Sequence, residues 1–363
     1  VAAPTSPRAL AGERGAPPLL TPHRLLTAAA PVVAVVLALG AGALFMLAIG
    51  EHPLDVYGLM LRETFGTGYG IGQTLFKATP LIFTGLAVAI GFRAGLFNIG
   101  VEGQLYLGGF AAAIVGWVWS ELPPLYLLPL TLAAAAVAGA LWAAIPGALK
   151  ARFGAHEVIN TIMLNFVAFA LVSYLGHGLF EPATVRTAEV GPGAWLPRLD
   201  ALWPALRGSP ANASLLVGLA AAIGAGVLLF RTRLGFELRA VGLNAPAAEY
   251  GGVDLGRAQI AAMAISGAVA GLGGSNFVLG YKHFFEMGFS GGSGFLGIAV
   301  ALIGRNHPVG VVIASLFFGA LSYGGLAANQ RVPKELVEVL QAVVILLAIC
   351  AHQVMERLAR RLE

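Results

Sequence analysis

Phe92-Arg-Ala-Gly-Leu-Phe-Asn-Ile-Gly-Val-Glu-Gly-Gln104 interrupts an otherwise apolar part of this chain. Residues 80–91 before it and 105–119 after it are almost entirely apolar, whereas the interruption carries Arg93, Glu102 and the amides of Asn98 and Gln104. In a bilayer such groups cost several kcal/mol unless protein or water satisfies them. Glycines at 95, 100 and 103 allow a helix to break or two backbones to approach closely. Two readings follow from the residues. One is a broken or re-entrant turn between two membrane spans, with polar groups turned towards a cavity. The other is a plain hairpin loop outside the membrane.

Composition decides the setting. The chain has 363 residues, of which 58% are hydrophobic and 11% charged, and its mean hydropathy is +0.81. Soluble domains carry roughly 25% charged residues, so a soluble fold is excluded. The 49 glycines suit close packing of helices in a membrane. The single cysteine, Cys350, lies in an apolar run and reads as a small buried residue. The net charge of +4 comes from basic residues spread over loops, with no basic helix face. Nucleic acid is therefore not an expected partner.

A span needs about 20 apolar residues. Working outward from 92–104, spans are predicted at 75–92 and 99–119, with Trp117 and Trp119 at the interface. Upstream, 25–50 is a span and 51–73 an amphipathic interfacial stretch. Downstream, spans follow at 125–149, 158–180, 213–230 and 258–280. The apolar piece 295–304 is too short to cross upright and is expected to be tilted, re-entrant or a half helix. Segments at 309–326 and 337–350 complete the set. The expected fold is an all-α, polytopic membrane helix bundle of about ten membrane segments with broken or re-entrant helices.

The expected organisation is a tail at 1–24, a single transmembrane domain at 25–352 and a second tail at 353–363. With both termini cytoplasmic, the larger share of the 22 Lys and Arg falls inside, as the positive-inside rule requires. That orientation makes 181–212 an external loop and 231–257 a cytoplasmic one. A span, a glycine-rich break and another span occur at 76–119 and again at 258–326. Internal repeats with broken helices are common in transporters, although glycine-rich membrane composition could produce the same pattern.

No catalytic set is visible. His156-Glu157-Val-Ile-Asn160 begins like a zinc-protease helix, but the second imidazole is replaced by Asn160. None of the four lysines follows a glycine, so no phosphate-binding loop is present. Asn160 and Asn165 sit in an apolar helix and must find partners. They either line a polar path or hold helices together by hydrogen bonds. Phe97, Phe166 and Tyr174 could stack on an aromatic cargo, but apolar helices carry such residues in any case. Asn244-Ala-Pro-Ala-Ala has the form of a capped helix start with an early proline, and Gly251-Gly252 ends it. A short helix with small side chains and one aromatic, Tyr250, can seat in a partner's groove; an ordinary amphipathic loop is the alternative.

The run 92–104 resembles the signature of ABC-importer permeases of the class that carries ribose, branched-chain amino acids and nucleosides. Within that class it is similar to permeases that work with basic-membrane-protein-type lipoprotein receptors and import nucleosides or simple sugars. Glu157–Asn165, Arg231–Gly252 and Gly288–Pro308 resemble the same subgroup, so the likeness covers about residues 75–325. One departure is Gly291-Gly-Ser-Gly294, where the family often has an acidic residue.

The resemblance implies a pore-forming subunit and not an enzyme. It implies a second, homologous permease, a cytoplasmic ABC ATPase that binds ATP and magnesium, and an extracytoplasmic substrate-binding lipoprotein. No cofactor is expected on this chain. The substrate-path candidates are Phe97, Asn98, Glu102, Gln104, Asn160, Asn165 and Phe166. The ATPase-docking candidates are Arg239, Asn244, Ala247, Ala248, Glu249, Tyr250 and Gly251. The expected cargo is a nucleoside, with a simple sugar as the alternative. The rival of a different class is a proton-coupled transporter acting alone, which would use Glu102, Glu157 or His177.

Overall fold

The computed structural model describes residues 22–333 and, beyond them, 338, 339, 341–343, 346 and 347. Most of the first tail, the second tail and half of the segment expected at 337–350 lie outside the described residues. The described chain is helical throughout, with three isolated β-bridges and no strand.

Helix α1 (Pro22–Ala48) is followed by α2 (Pro53–Phe65) after a bend of 120°. Then come α3 (Gly68–Arg93), α4 (Val101–Val118), α5 (Pro124–Phe153), α6 (Glu157–Leu179) and α7 (Ser214–Arg231). Two short helices, α8 (Arg233–Leu243) and α9 (Ala245–Tyr250), form an arm. Helix α10 (Leu255–Leu272) continues through a turn into a π-helical stretch at Val278–Lys282. Helices α11 (Ser293–Ile303) and α12 (Pro308–Ala327) end the described bundle. Among the described residues, seven helices are long and apolar enough to cross a membrane, or eight if the bent α1–α2 pair is one span.

These boundaries follow local chemistry. The second span starts at Gly68, earlier than the apolar run at 75 suggested. The reason is Thr67, whose side-chain oxygen accepts a hydrogen bond from Gly70 N at 3.0 Å and starts the helix there. Helix α5 stops where Gly154 takes a left-handed conformation, φ 65°. Helix α11 has 11 residues and cannot cross a bilayer, as its short apolar run indicated.

Helices α3, α4 and α10 are mostly buried and form the centre, while α5, α6 and α7 show most of their surface. Outward residues such as Leu125, Leu141, Phe166, Tyr174 and Ile223 are large and apolar, which suits contact with lipid. Helices α5 and α10 meet backbone to backbone: a methyl group on Gly139 would strike Gly267 O, and one on Gly271 would strike Ala135 O. Without a hydrophobic force between helices in lipid, such contact is what holds them.

The stretch between α6 and α7 folds as a cap across one end of the bundle. Thr187 N donates to Phe285 O (3.0 Å), Val190 N to His283 O (2.7 Å) and Leu196 N to Leu279 O (2.9 Å). Trp195 stacks on His283 at 4.1 Å. Burial pushes the His283 imidazole below its ordinary pKa. The arm of α8 and α9 lies at the opposite end, because α7 runs from cap to arm.

Candidate translocation site

Residues 94–100 form a turn that is packed inside the protein. Asn98, Glu102 and Gln104 are buried. The Asn98 amide donates to Gln104 Oε1 (2.9 Å) and Ser266 Oγ (2.9 Å), and its oxygen accepts from Gly100 N (3.0 Å) and Gln104 Nε2 (3.0 Å). Ser266 in turn donates to Ala87 O at 2.6 Å. One amide network thus ties α3, the turn, α4 and α10 together. Asn165 on α6 accepts from Gly103 N at 2.8 Å and donates to Ile99 O at 3.0 Å. It therefore supplies the turn with the partners that lipid cannot.

Glu102 serves the other break. Its carboxylate accepts from Gly292 N (3.2 Å) and from Gly294 N, at the first turn of α11. An anion at a helix N-terminus is favoured by the free N–H groups and by the dipole. The two breaks of the sequence pattern meet at this carboxylate. Glycine at 294 is required by space, since a Cβ there would overlap the backbone of Glu102. The acid that caps this helix comes from α4.

The remaining path candidates lie apart. Phe97 stacks on Phe92 at 4.8 Å. Phe166 is on the outer surface, 64% exposed. Asn160 sits on the first turns of α6, and its Nδ2 is buried without a partner among the described residues.

A cavity of about 420 Å³ opens on the cap side of the Glu102 cluster. One wall is a face of α3 with Gln73, Phe76, Lys77, Pro80 and Leu81. The facing wall comes from the end of α10 and the segment after it, with Asn276, Phe277, Tyr281, Phe289 and Ser290. Ser293 and Leu296 of α11, Ser322 of α12 and Leu105 of α4 close it. The rings are in mutual contact: Phe76 to Tyr281 at 5.1 Å, Phe277 to Phe289 at 5.2 Å and Phe277 to Tyr281 at 5.9 Å. Asn276 is pinned, donating to Phe76 O (3.2 Å) and accepting from Asn212 Nδ2 (3.1 Å). None of the seven path candidates lines this cavity. Its signal was present on α3, where Gln73, Phe76, Lys77 and Pro80 repeat at helical spacing.

At the arm, Asn244 caps α9 by accepting from Ala247 N at 3.1 Å. Gly251 follows the helix, and Gly252 turns with φ 87°. Ala248 is buried, while Tyr250 is 98% exposed and Leu243 is 88% exposed. Arg239 of α8 lies over the Phe230 ring at 5.5 Å and Arg93 lies over the same ring at 5.6 Å. Gly242 sits directly on the broken turn, where a Cβ would overlap Arg93 O and approach Gly95 N. The arm is thus packed on the same turn whose far side holds Glu102. Gly242→Val is expected to lift α8 off the turn and to lower uptake tenfold or more, by the steric argument that backbone cannot yield as a side chain does. Protease accessibility of 231–257 in membrane vesicles checks the first effect and uptake the second.

Comparison with known proteins agrees with this architecture. The family described as "Branched-chain amino acid transport system / permease component" matches residues 70–349. The glucose ABC transporter permease protein TsgB13 of Haloferax volcanii is 41% identical over 331 residues, covering 89% of this chain and 87% of the relative. The guanosine ABC transporter permease protein NupP of Bacillus subtilis is 41% identical over 328 residues, covering 89% and 93%. A second guanosine ABC transporter permease protein of Bacillus subtilis, NupQ, is 29% identical over 253 residues, covering 69% and 79%. A multi-pass helical bundle with two breaks joined at its centre, matched over most of its length, therefore belongs to the family of ABC transporter permease components.

Proposed function

We propose that this chain forms half of the translocation pore of an ATP-driven importer for a nucleoside. The observation that carries the cargo is the cavity, in which four aromatic rings stand beside amide and hydroxyl groups. Aromatic faces suit a base, and the polar groups suit a hydroxylated sugar. The similarity to guanosine permease proteins supports this reading. A sugar is the second reading, favoured by the equally similar glucose permease protein.

The second half of the pore is a homologous permease; Bacillus subtilis has two different guanosine permease proteins that both resemble this chain. The cytoplasmic ATPase docks on 231–257 through α9, with Tyr250 and Glu249 outward and Ala248 inward. That assignment makes the arm end cytoplasmic and the cap end external, with both termini inside. A substrate-binding lipoprotein docks on the cap, 181–212, and on 51–73. ATP and magnesium are held by the ATPase and not by this chain. Of the path candidates, Asn98, Glu102, Gln104 and Asn165 act as the frame that holds the path open. Its wall is the cavity beside them.

Isolation from native membranes in mild detergent tests the assignment. A second permease and an ATPase are expected to co-purify, with hydrolysis stimulated by receptor plus nucleoside. A chain that purifies alone and transports in vesicles on a proton gradient without ATP would overturn it.

A further inference from the structure

Lys77 lies in the first half of α3, inside a membrane-spanning helix, and is exposed to the cavity. No carboxylate pairs with it among the described residues. A cation inside a span is retained where it meets water, a counter-charge or a cargo. An ammonium has three donors and no acceptor, so what binds beside it must offer acceptors.

The neighbours narrow the cargo further. Phe76 precedes Lys77 on α3, and Phe277, Tyr281 and Phe289 face them across the cavity. This wall favours a flat aromatic ring. Gln73, one turn from Lys77, donates to Tyr69 Oη at 2.7 Å through its Nε2. The amide is held by that bond and leaves its carbonyl oxygen as an acceptor. Ser290 and Ser293 add hydroxyls at the start of α11, where Ser293 Oγ donates to Ser290 O at 2.6 Å.

We propose that this cavity is a cargo subsite within the permease for a purine nucleoside bearing a carbonyl on its six-membered ring, and that Lys77 reads that carbonyl. The inference rests on the nucleoside reading and deepens it. A guanine edge presents two adjacent acceptors, O6 and N7, to a lysine. Adenine keeps the N7 acceptor but carries an amino donor in place of O6, and an ammonium has no acceptor to offer that donor. A site built to bond a substrate group discriminates against the analogue that lacks it, because the site's own group then loses that partner.

The test uses the whole transporter with its receptor in proteoliposomes, and compares saturated uptake of guanosine, inosine, adenosine and glucose. For Lys77→Met, the maximal rates for guanosine and inosine are expected to fall about tenfold, the scale of one lost charged hydrogen bond. The rate for adenosine stays within about twofold. Receptor affinity is unchanged, since the receptor is another protein. Lys77→Arg, which keeps donors and charge, is expected to restore most of the preference, and co-purified ATPase reports assembly for both variants. If the wild type carries nucleosides and Lys77→Met leaves the rates unchanged, or lowers all of them equally in assembled complexes, the subsite is wrong while the nucleoside reading stands. If the wild type accumulates glucose and no nucleoside, the nucleoside reading itself falls.

Discussion

Glu102→Leu is expected to remove uptake almost completely while the protein still inserts in the membrane. The carboxylate is buried and accepts from two N–H groups at the start of α11. Hydrogen bonds to a charged group contribute about 1.5–3 kcal/mol each. Losing both leaves two backbone donors unsatisfied in a low-dielectric interior, where no water replaces the carboxylate. The start of α11 then shifts, and Ser290, Gly291 and Ser293 move with it out of the cavity wall. A loss of a hundredfold or more corresponds to about 3 kcal/mol. Glu102→Gln keeps one acceptor oxygen and should fall between leucine and wild type. Uptake in membrane vesicles, normalised to the amount of assembled complex, measures the effect. Wild-type uptake by Glu102→Leu would show that α11 does not need its cap.

Tyr250→Ala should uncouple the ATPase. The ring is 98% exposed in the isolated chain, on a helix of six residues fixed by the Asn244 cap. Among the described residues, none packs on that ring. An exposed tyrosine on a rigid support is the kind of residue that dominates an interface, and truncating one costs about 2 kcal/mol or more. Binding of the ATPase is expected to weaken about thirtyfold, with the fold of the chain unchanged because no described residue packs on the ring. Glu249→Arg should act in the same direction by reversing the charge presented. Co-purification of the ATPase and cargo-stimulated hydrolysis read out both variants. Normal values for both would move the docking surface off α9.

Much of this architecture was legible in the sequence because a bilayer constrains it. Apolar length located the spans, and the shortness of 295–304 marked a piece that could not cross upright. Capping chemistry is local, so Asn244, Pro246 and Gly251 told the start and stop of α9 correctly. The fate of the polar residues at 98–104 was harder to read. Their types show that they need partners, but the partners are Ser266, Asn165 and the Gly292–Gly294 backbone, brought close only by the fold. The cavity was missed for the same reason. Half of its wall is a helical face of α3 that the sequence does display, and the other half is the π-helical stretch near Tyr281, which has no local signature. Phe166 illustrates the converse: an aromatic beside an informative asparagine points outward, because adjacent helical positions face different ways.

The backbone contact between α5 and α10 has a bearing on how such a subunit can switch. With Gly139, Gly267 and Gly271 touching main chain on main chain, these two helices have no side-chain cushion across which to slide. Helix α4 joins them, since Gly108 meets Gly271 in the same way. The three helices are then the fixed chassis of the subunit. Around that chassis, the start of α11 is held by polar contacts, the Glu102 carboxylate on Gly292 N and Gly294 N and Thr84 Oγ1 on Ser293 O, while the arm rests on the turn through Gly242 and on Phe230 through Arg239.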